Sequence, residues 1–113
     1  MAPMVTQPPT TTPRTRHIPT QDISLEPLYH LILLDDDQHT YQYVIEMLAH
    51  IFGYGPEKAW TLARVVDTQG RVILETAPRQ QCEAHQAQIH AYGADPRIPT
   101  SAGPMSAILE QAP

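Results

Sequence analysis

The chain has 113 residues, 42% of them hydrophobic, with seven Lys and Arg against twelve Asp and Glu for a net charge of −5. That length allows one domain with a modest core, and the acidic balance excludes a nucleic-acid surface, which needs a basic stripe to neutralise phosphates; a cationic or amino-terminal peptide partner fits better. The single cysteine, Cys82, excludes an intramolecular disulfide and points to a reduced, cytoplasmic protein.

No run reaches the ~18 apolar residues of a membrane span, and the N-terminus lacks the apolar core of a secretory signal. Residues 1–28 hold Pro3, Pro8, Pro9, Pro13, Pro19 and Pro27, with Thr6, Thr10, Thr11, Thr12, Thr15 and Thr20 between them. So few large apolar side chains do not offset ordering entropy. The segment is therefore expected to be a disordered, partly extended leader, mildly basic through Arg14, Arg16 and His17. Tyr29–Leu34 is nearly continuous in apolar residues and predicts a buried strand. It stops on Asp35-Asp36-Asp37. Three adjacent acids repel one another, and capping a helix accounts for one of them, not three. At the mouth of a strand-to-helix turn they form a compact negative site for a cation or an ammonium group.

Thr40 is the expected N-cap of a helix to about Phe52, with Tyr41, Val44, Ile45, Leu48, Ile51 and Phe52 at helical spacing. Gly53-Tyr54-Gly55-Pro56 turns the chain, and Pro56 opens a second helix. Ala59, Leu62, Ala63 and Val66 form its buried stripe, and Gln69-Gly70 ends it. Arg71–Thr76 alternates as a strand. Pro78 opens a third helix to about Tyr92, Ala94–Pro104 is a Pro/Gly-rich connection, and Met105–Glu110 is a last strand. The order β-α-α-β-α-β predicts an α+β domain over residues 29–113: three helices on one face of a three-stranded antiparallel sheet.

Other residues carry weaker signals. Trp60 either covers the core edge or stands out as an interaction anchor. Cys82 has no paired base and reads as an inert thiol. His85 and His90, five apart, miss the same-face spacing of a helix and read as solvated. Asp35, Asp37 and His39 offer oxygen and imidazole ligands to a divalent cation, which keeps a small metal-dependent enzyme as an alternative. There is no Ser-His-Asp arrangement, phosphate loop or HExxH pair, and nothing calls for a cofactor.

Element order and landmarks together resemble the ClpS family of adaptors for the ATP-dependent Clp protease. Leu33-Leu34-Asp35-Asp36-Asp37 stands where that family ends its first strand in Leu-Leu/Val-Asn-Asp-Asp, and Tyr43-Val44 stands for its Phe-Val core pair. Gln69-Gly70-Arg71 is similar to its Gly-Lys turn, and Leu109-Glu110-Gln111-Ala112 to its C-terminal ending. The resemblance spans residues 29–112 and implies a non-catalytic adaptor. Such an adaptor holds the free α-amino group of proteins beginning with Leu, Phe, Tyr or Trp, buries that first side chain, and delivers the substrate to a ClpA-type AAA+ unfoldase.

By position, the resemblance assigns the amino-group cradle to Asp35, Asp36 and Asp67. It assigns the side-chain pocket to Asp37, His39, Tyr41, Val44, Ala63, Val66 and Met105, and the ATPase-facing surface to Gln80 and His85. The leader corresponds to the family's N-terminal extension. Several functional positions depart from the pattern. Asp35 replaces an Asn, Asp67 the amine-binding His, Tyr41 and Ala63 two pocket methionines, and Gln80 and His85 an acid and a lysine. The added carboxylates suit an ammonium and predict a raised pKa for at least one acid by like-charge repulsion. They equally suit a metal ion, a basic side chain, or an interaction module that has lost amino-terminus recognition.

Overall fold

A computed structural model describes residues 26–113, so the expected leader lies outside the described residues except for its last three. The elements run β1 (Leu28–Leu34), α1 (Tyr41–Phe52), α2 (Pro56–Gln69), β2 (Arg71–Pro78), α3 (Arg79–His90) and β3 (Ala107–Gln111). Both ends of α1 follow local chemistry. The Thr40 hydroxyl accepts from the Tyr43 amide, and Gly53 takes the left-handed conformation (φ 73°) that a side chain resists. Pro56 opens α2 and Gly70 (φ 86°) closes it.

The sheet has the order β2-β1-β3, antiparallel throughout, so β1 is its central strand. Leu31 and Leu33 of β1, Val72, Leu74 and Ala77 of β2 and Ala107 of β3 meet Tyr43, Val44, Met47 and Leu48 of α1, Ala59, Ala63 and Val66 of α2, and Cys82 and Ile89 of α3 in one core. The register slips between Leu31 and Ile32, leaving Leu74 without a partner on β1. That bulge turns both Leu74 and Glu75 toward the helices, where Glu75 bonds His85 at 2.6 Å. On the outer face Ile73, Ile32 and Ile108 form a row across the three strands, crossed by an Arg71–Glu110 ion pair of 2.8 Å.

The buried face of α1 keeps Val44 and Leu48 of the expected stripe, but its other members differ. Tyr43 and Met47 are buried, whereas Tyr41 is exposed and Ile45, Ile51 and Phe52 are only half-buried. Met47, unbranched, fills the centre of the core, and Tyr41 finds a polar partner at the rim instead. Leu62 is likewise half-buried. β3 begins at Ala107, not Met105, because Met105 packs into the core ahead of the ladder. α3 stops at His90, where Tyr92 and the Gly93 turn lead into the connection.

His85 and His90 are not simply solvated. His85 lies between Glu75 and the Phe52 ring, 4.6 Å centroid to centroid, and His90 Nε2 accepts from the Ala107 amide. Trp60 is exposed rather than folded over the core edge, with the Arg64 guanidinium 5.6 Å over its ring. The buried Cys82 thiol faces the Tyr29 and Ala77 carbonyls, and burial pushes its pKa up, consistent with an inert thiol. Among the described residues no helix is long and apolar enough to cross a membrane.

Candidate functional site

The acidic turn hangs from the end of β1. The Leu34 amide donates to the Ser106 carbonyl and the Asp35 amide to the Gly70 carbonyl, both at 3.0 Å, so the turn is pinned to the start of β3 and the end of α2. Asp36 Oδ1 accepts from the Gln38 amide and from His39 Nδ1, each at 2.8 Å. The His39 side chain is only 2% exposed; its ring leans on Tyr43 at 4.5 Å, and its Nε2 bonds the Gly103 carbonyl at 2.8 Å. Both ring nitrogens therefore face acceptors, and both bonds form together only when both nitrogens carry hydrogen.

These tethers bring α1, α2 and the 94–105 connection around one small cavity of about 40 Å³. Asp35, Asp36 and Asp67 line it together with His39, Thr40, Tyr41, Val44, Ala63, Val66 and Met105. Val44, Ala63, Val66 and Met105 are buried and give it apolar walls, while the carboxylates sit at the exposed rim. Helical spacing puts Ala63, Val66 and Asp67 on one face of α2, aimed at the first turn of α1. Tyr41 Oη donates to Asp67 Oδ2 at 2.7 Å, spanning the two helices across the mouth.

Asp35 behaves as the crowded acid of the cluster. Although the residue is exposed, partial withdrawal of its carboxyl from water is the largest influence and pushes its pKa up. A bond from the Asp36 amide opposes this, and repulsion from Asp67, Asp36 and Asp37 adds to it. Repulsion is thus real but secondary to desolvation. The Tyr41 phenol is also raised, chiefly by its bond to Asp67.

Of the residues assigned to the site, Asp37 alone in the cradle and pocket sets falls outside the cavity. It turns outward and accepts from Gln38 Nε2 at 2.9 Å. With Asp37 outside and both His39 nitrogens engaged, Asp35, Asp37 and His39 do not converge on a cation. No group of three or more His, Cys, Asp or Glu among the described residues is arranged to hold one. Gln80 and His85 do not share a surface. Gln80 lines an open groove with Glu26, Pro27, Tyr29, Pro78, Arg79 and Glu83, whereas His85 is packed against Phe52.

The residue that sequence reasoning missed is Asp95, 1% exposed and fully ionised at neutral pH. Its Oδ2 accepts from the Thr40 amide and hydroxyl, each at 2.8 Å. Its Oδ1 accepts from the Arg97 amide at 2.9 Å and from Arg97 Nη1 at 3.2 Å. Burial pushes the carboxyl up, but the bonds from Thr40 and Arg97 outweigh it and hold the pKa down to about 2. Asp95 thereby fastens the connection carrying Gly103 and Met105 to the start of α1. The Asp95-Pro96 dipeptide, a turn signal, was its one trace in the sequence.

Comparison with known proteins agrees with this geometry. Residues 24–99 match the family model described as ATP-dependent Clp protease adaptor protein ClpS. The ATP-dependent Clp protease adapter protein ClpS of a Nostoc species is 34% identical over 68 residues, covering 59% of this chain and 70% of the relative. Its Synechocystis counterpart is 32% identical, covering 59% and 69%. Among solved structures, Agrobacterium tumefaciens ClpS2 bound to L-phenylalaninamide superposes with a TM-score of 0.66 at 17% identity, over 76% of this chain and 98% of that one. A central strand ending on acids and a cavity between the first two helices thus come with a family match over most of the chain, which belongs to the ClpS family of ATP-dependent Clp protease adaptors.

Proposed function

We propose that the chain captures proteins by their free α-amino group and bulky apolar first side chain, and delivers them to a ClpA-type AAA+ unfoldase, catalysing nothing itself. The carrying observation is the juxtaposition of three rim carboxylates, Asp35, Asp36 and Asp67, with the apolar walls Val44, Ala63, Val66 and Met105. An ammonium would donate to the carboxylates and offset their charge, relieving the repulsion at Asp35, while the side chain beside it entered the cavity. The ClpS2 bound to L-phenylalaninamide, a free amine with an aromatic side chain, supports this reading. Docking to the unfoldase would involve α3, with Gln80 and its groove the accessible part and His85, bonded to Glu75 and packed against Phe52, outside that groove.

One observation favours a second reading, a ClpS-fold interaction module without amino-terminus recognition: Tyr41 spans the mouth and the cavity is small. Fluorescence polarisation separates the two. Labelled peptides beginning with Phe, Leu, Tyr, Trp, Ile or Met are titrated beside N-acetylated controls. Capture of free but not acetylated peptides is expected, and equal binding of both rejects amino-terminus recognition.

A further inference from the structure

Granted the amino-terminus reading above, we propose that Tyr41 is a latch keyed to the α-ammonium: its hydroxyl holds Asp67 across the mouth, and an incoming amine, by taking over that carboxylate, frees the ring and opens the cavity to a side chain.

Size comes first. The closed cavity holds about 40 Å³, whereas an apolar cavity that admits benzene measures ~150 Å³. A Phe or Leu side chain therefore needs a wall to move. Val44, Ala63, Val66 and Met105 are at most 4% exposed and locked in the core, so they are not the moving part. Tyr41 is 37% exposed and stands at the first position of α1. Its Asp67 bond is the one side-chain hydrogen bond it makes among the described residues. Rotation of one exposed side chain is the least costly way to enlarge the site.

The bond itself supplies the key. Asp67 has no other hydrogen-bond partner among the described residues, so the group closing the mouth is also a member of the cradle. An ammonium offers Asp67 a full positive charge and several donors, and outcompetes a neutral phenol for it. Amine binding and pocket opening thus draw on the same oxygen. A bulky side chain arriving without a free amino group, as in a loop or an acetylated terminus, has nothing to release the latch. Selectivity for a chain end then comes from two coupled requirements rather than from charge attraction alone.

The test uses the full-length chain, Tyr41→Phe and Asp67→Asn, with tyrosines labelled at the ring carbon bearing the hydroxyl. The first readout needs no ligand. The NMR pH titration of Tyr41, assigned by its absence in Tyr41→Phe, is expected to move to lower pH in Asp67→Asn. An unmoved titration overturns the latch whatever the protein binds. The second readout is the affinity for L-phenylalaninamide. Tyr41→Phe keeps the ring and loses the bond, so it should bind about 3- to 10-fold more tightly, with the gain in the association rate. Equal or weaker binding by Tyr41→Phe, with wild type binding, overturns the latch and leaves amino-terminus recognition standing. Binding by neither protein overturns both.

Discussion

Asp95→Asn is the most informative single change, because it keeps shape and removes charge at the joint between α1 and the 94–105 connection. Both Asp95 oxygens accept from two donors each, so an amide placed either way points its NH2 at Thr40 or at Arg97. The ionised carboxyl is held at about 2 against an ordinary 3.8, which corresponds to ~2 kcal/mol of stabilisation at ~1.4 kcal/mol per pH unit. With donors left facing donors, the variant should lose ~2–3 kcal/mol, or ~10–20 °C in melting temperature for a domain of this size. Circular dichroism melts and urea titrations of both proteins measure it. The pH dependence gives the sharper check. The folded pKa lies below the unfolded one, so the stabilisation is complete above about pH 4 and is lost as pH falls toward 2. The gap between wild type and variant should close over that window. A variant within ~0.5 kcal/mol of wild type at pH 7, or a gap that stays constant below pH 4, refutes the joint.

Asp35→Asn should have the opposite sign: its raised carboxyl is costly once ionised, so the variant should be slightly more stable at pH 7, by no more than ~0.5 kcal/mol, with the gain gone below the unfolded value. Melting temperatures at pH 7 and pH 3 check this. Amino-terminal peptide affinity should fall in acid, since Asp35 is raised and its protonation removes an attraction; dissociation constants that stay flat from about pH 7 to about pH 4 contradict a carboxylate cradle. Gly70→Ala should lose ~1 kcal/mol in urea titrations, because φ is 86° and nothing lies within 4 Å of an added Cβ, leaving backbone strain as the sole cause.

Features set by adjacent residues were legible in the sequence. Thr40, Gly53, Pro56 and Gly70 each act within a turn of themselves, and each stands at the helix end its chemistry demands. Periodicity and the resemblance agree on Val44 in the core, and the resemblance adds Tyr43 where periodicity alone favours Tyr41. What escaped was long-range. The bonds from Asp95 to Thr40 join residues 55 apart, and the bond from Tyr41 to Asp67 joins residues 26 apart. No local pattern marks such partners. The resemblance assigns Asp37 to the pocket by position, yet the turn through Asp36 and Gln38 sends it outward. His85 looked solvated because helix spacing says nothing of the bulge that brings Glu75 beneath it.

The tethers of the acidic turn have a consequence for how the protein comes into being. Leu34 is tied to Ser106, Asp35 to Gly70 and His39 to Gly103, so the socket is a knot drawn from three distant stretches of chain. A copy in which those long loops are not closed owns the acids but not the socket, because each tether carries the entropic cost of bringing distant residues together. Under the proposed function, recognition at this mouth would begin only when the final strand is in place. Such a chain would be kept from capturing a substrate until its own folding is finished.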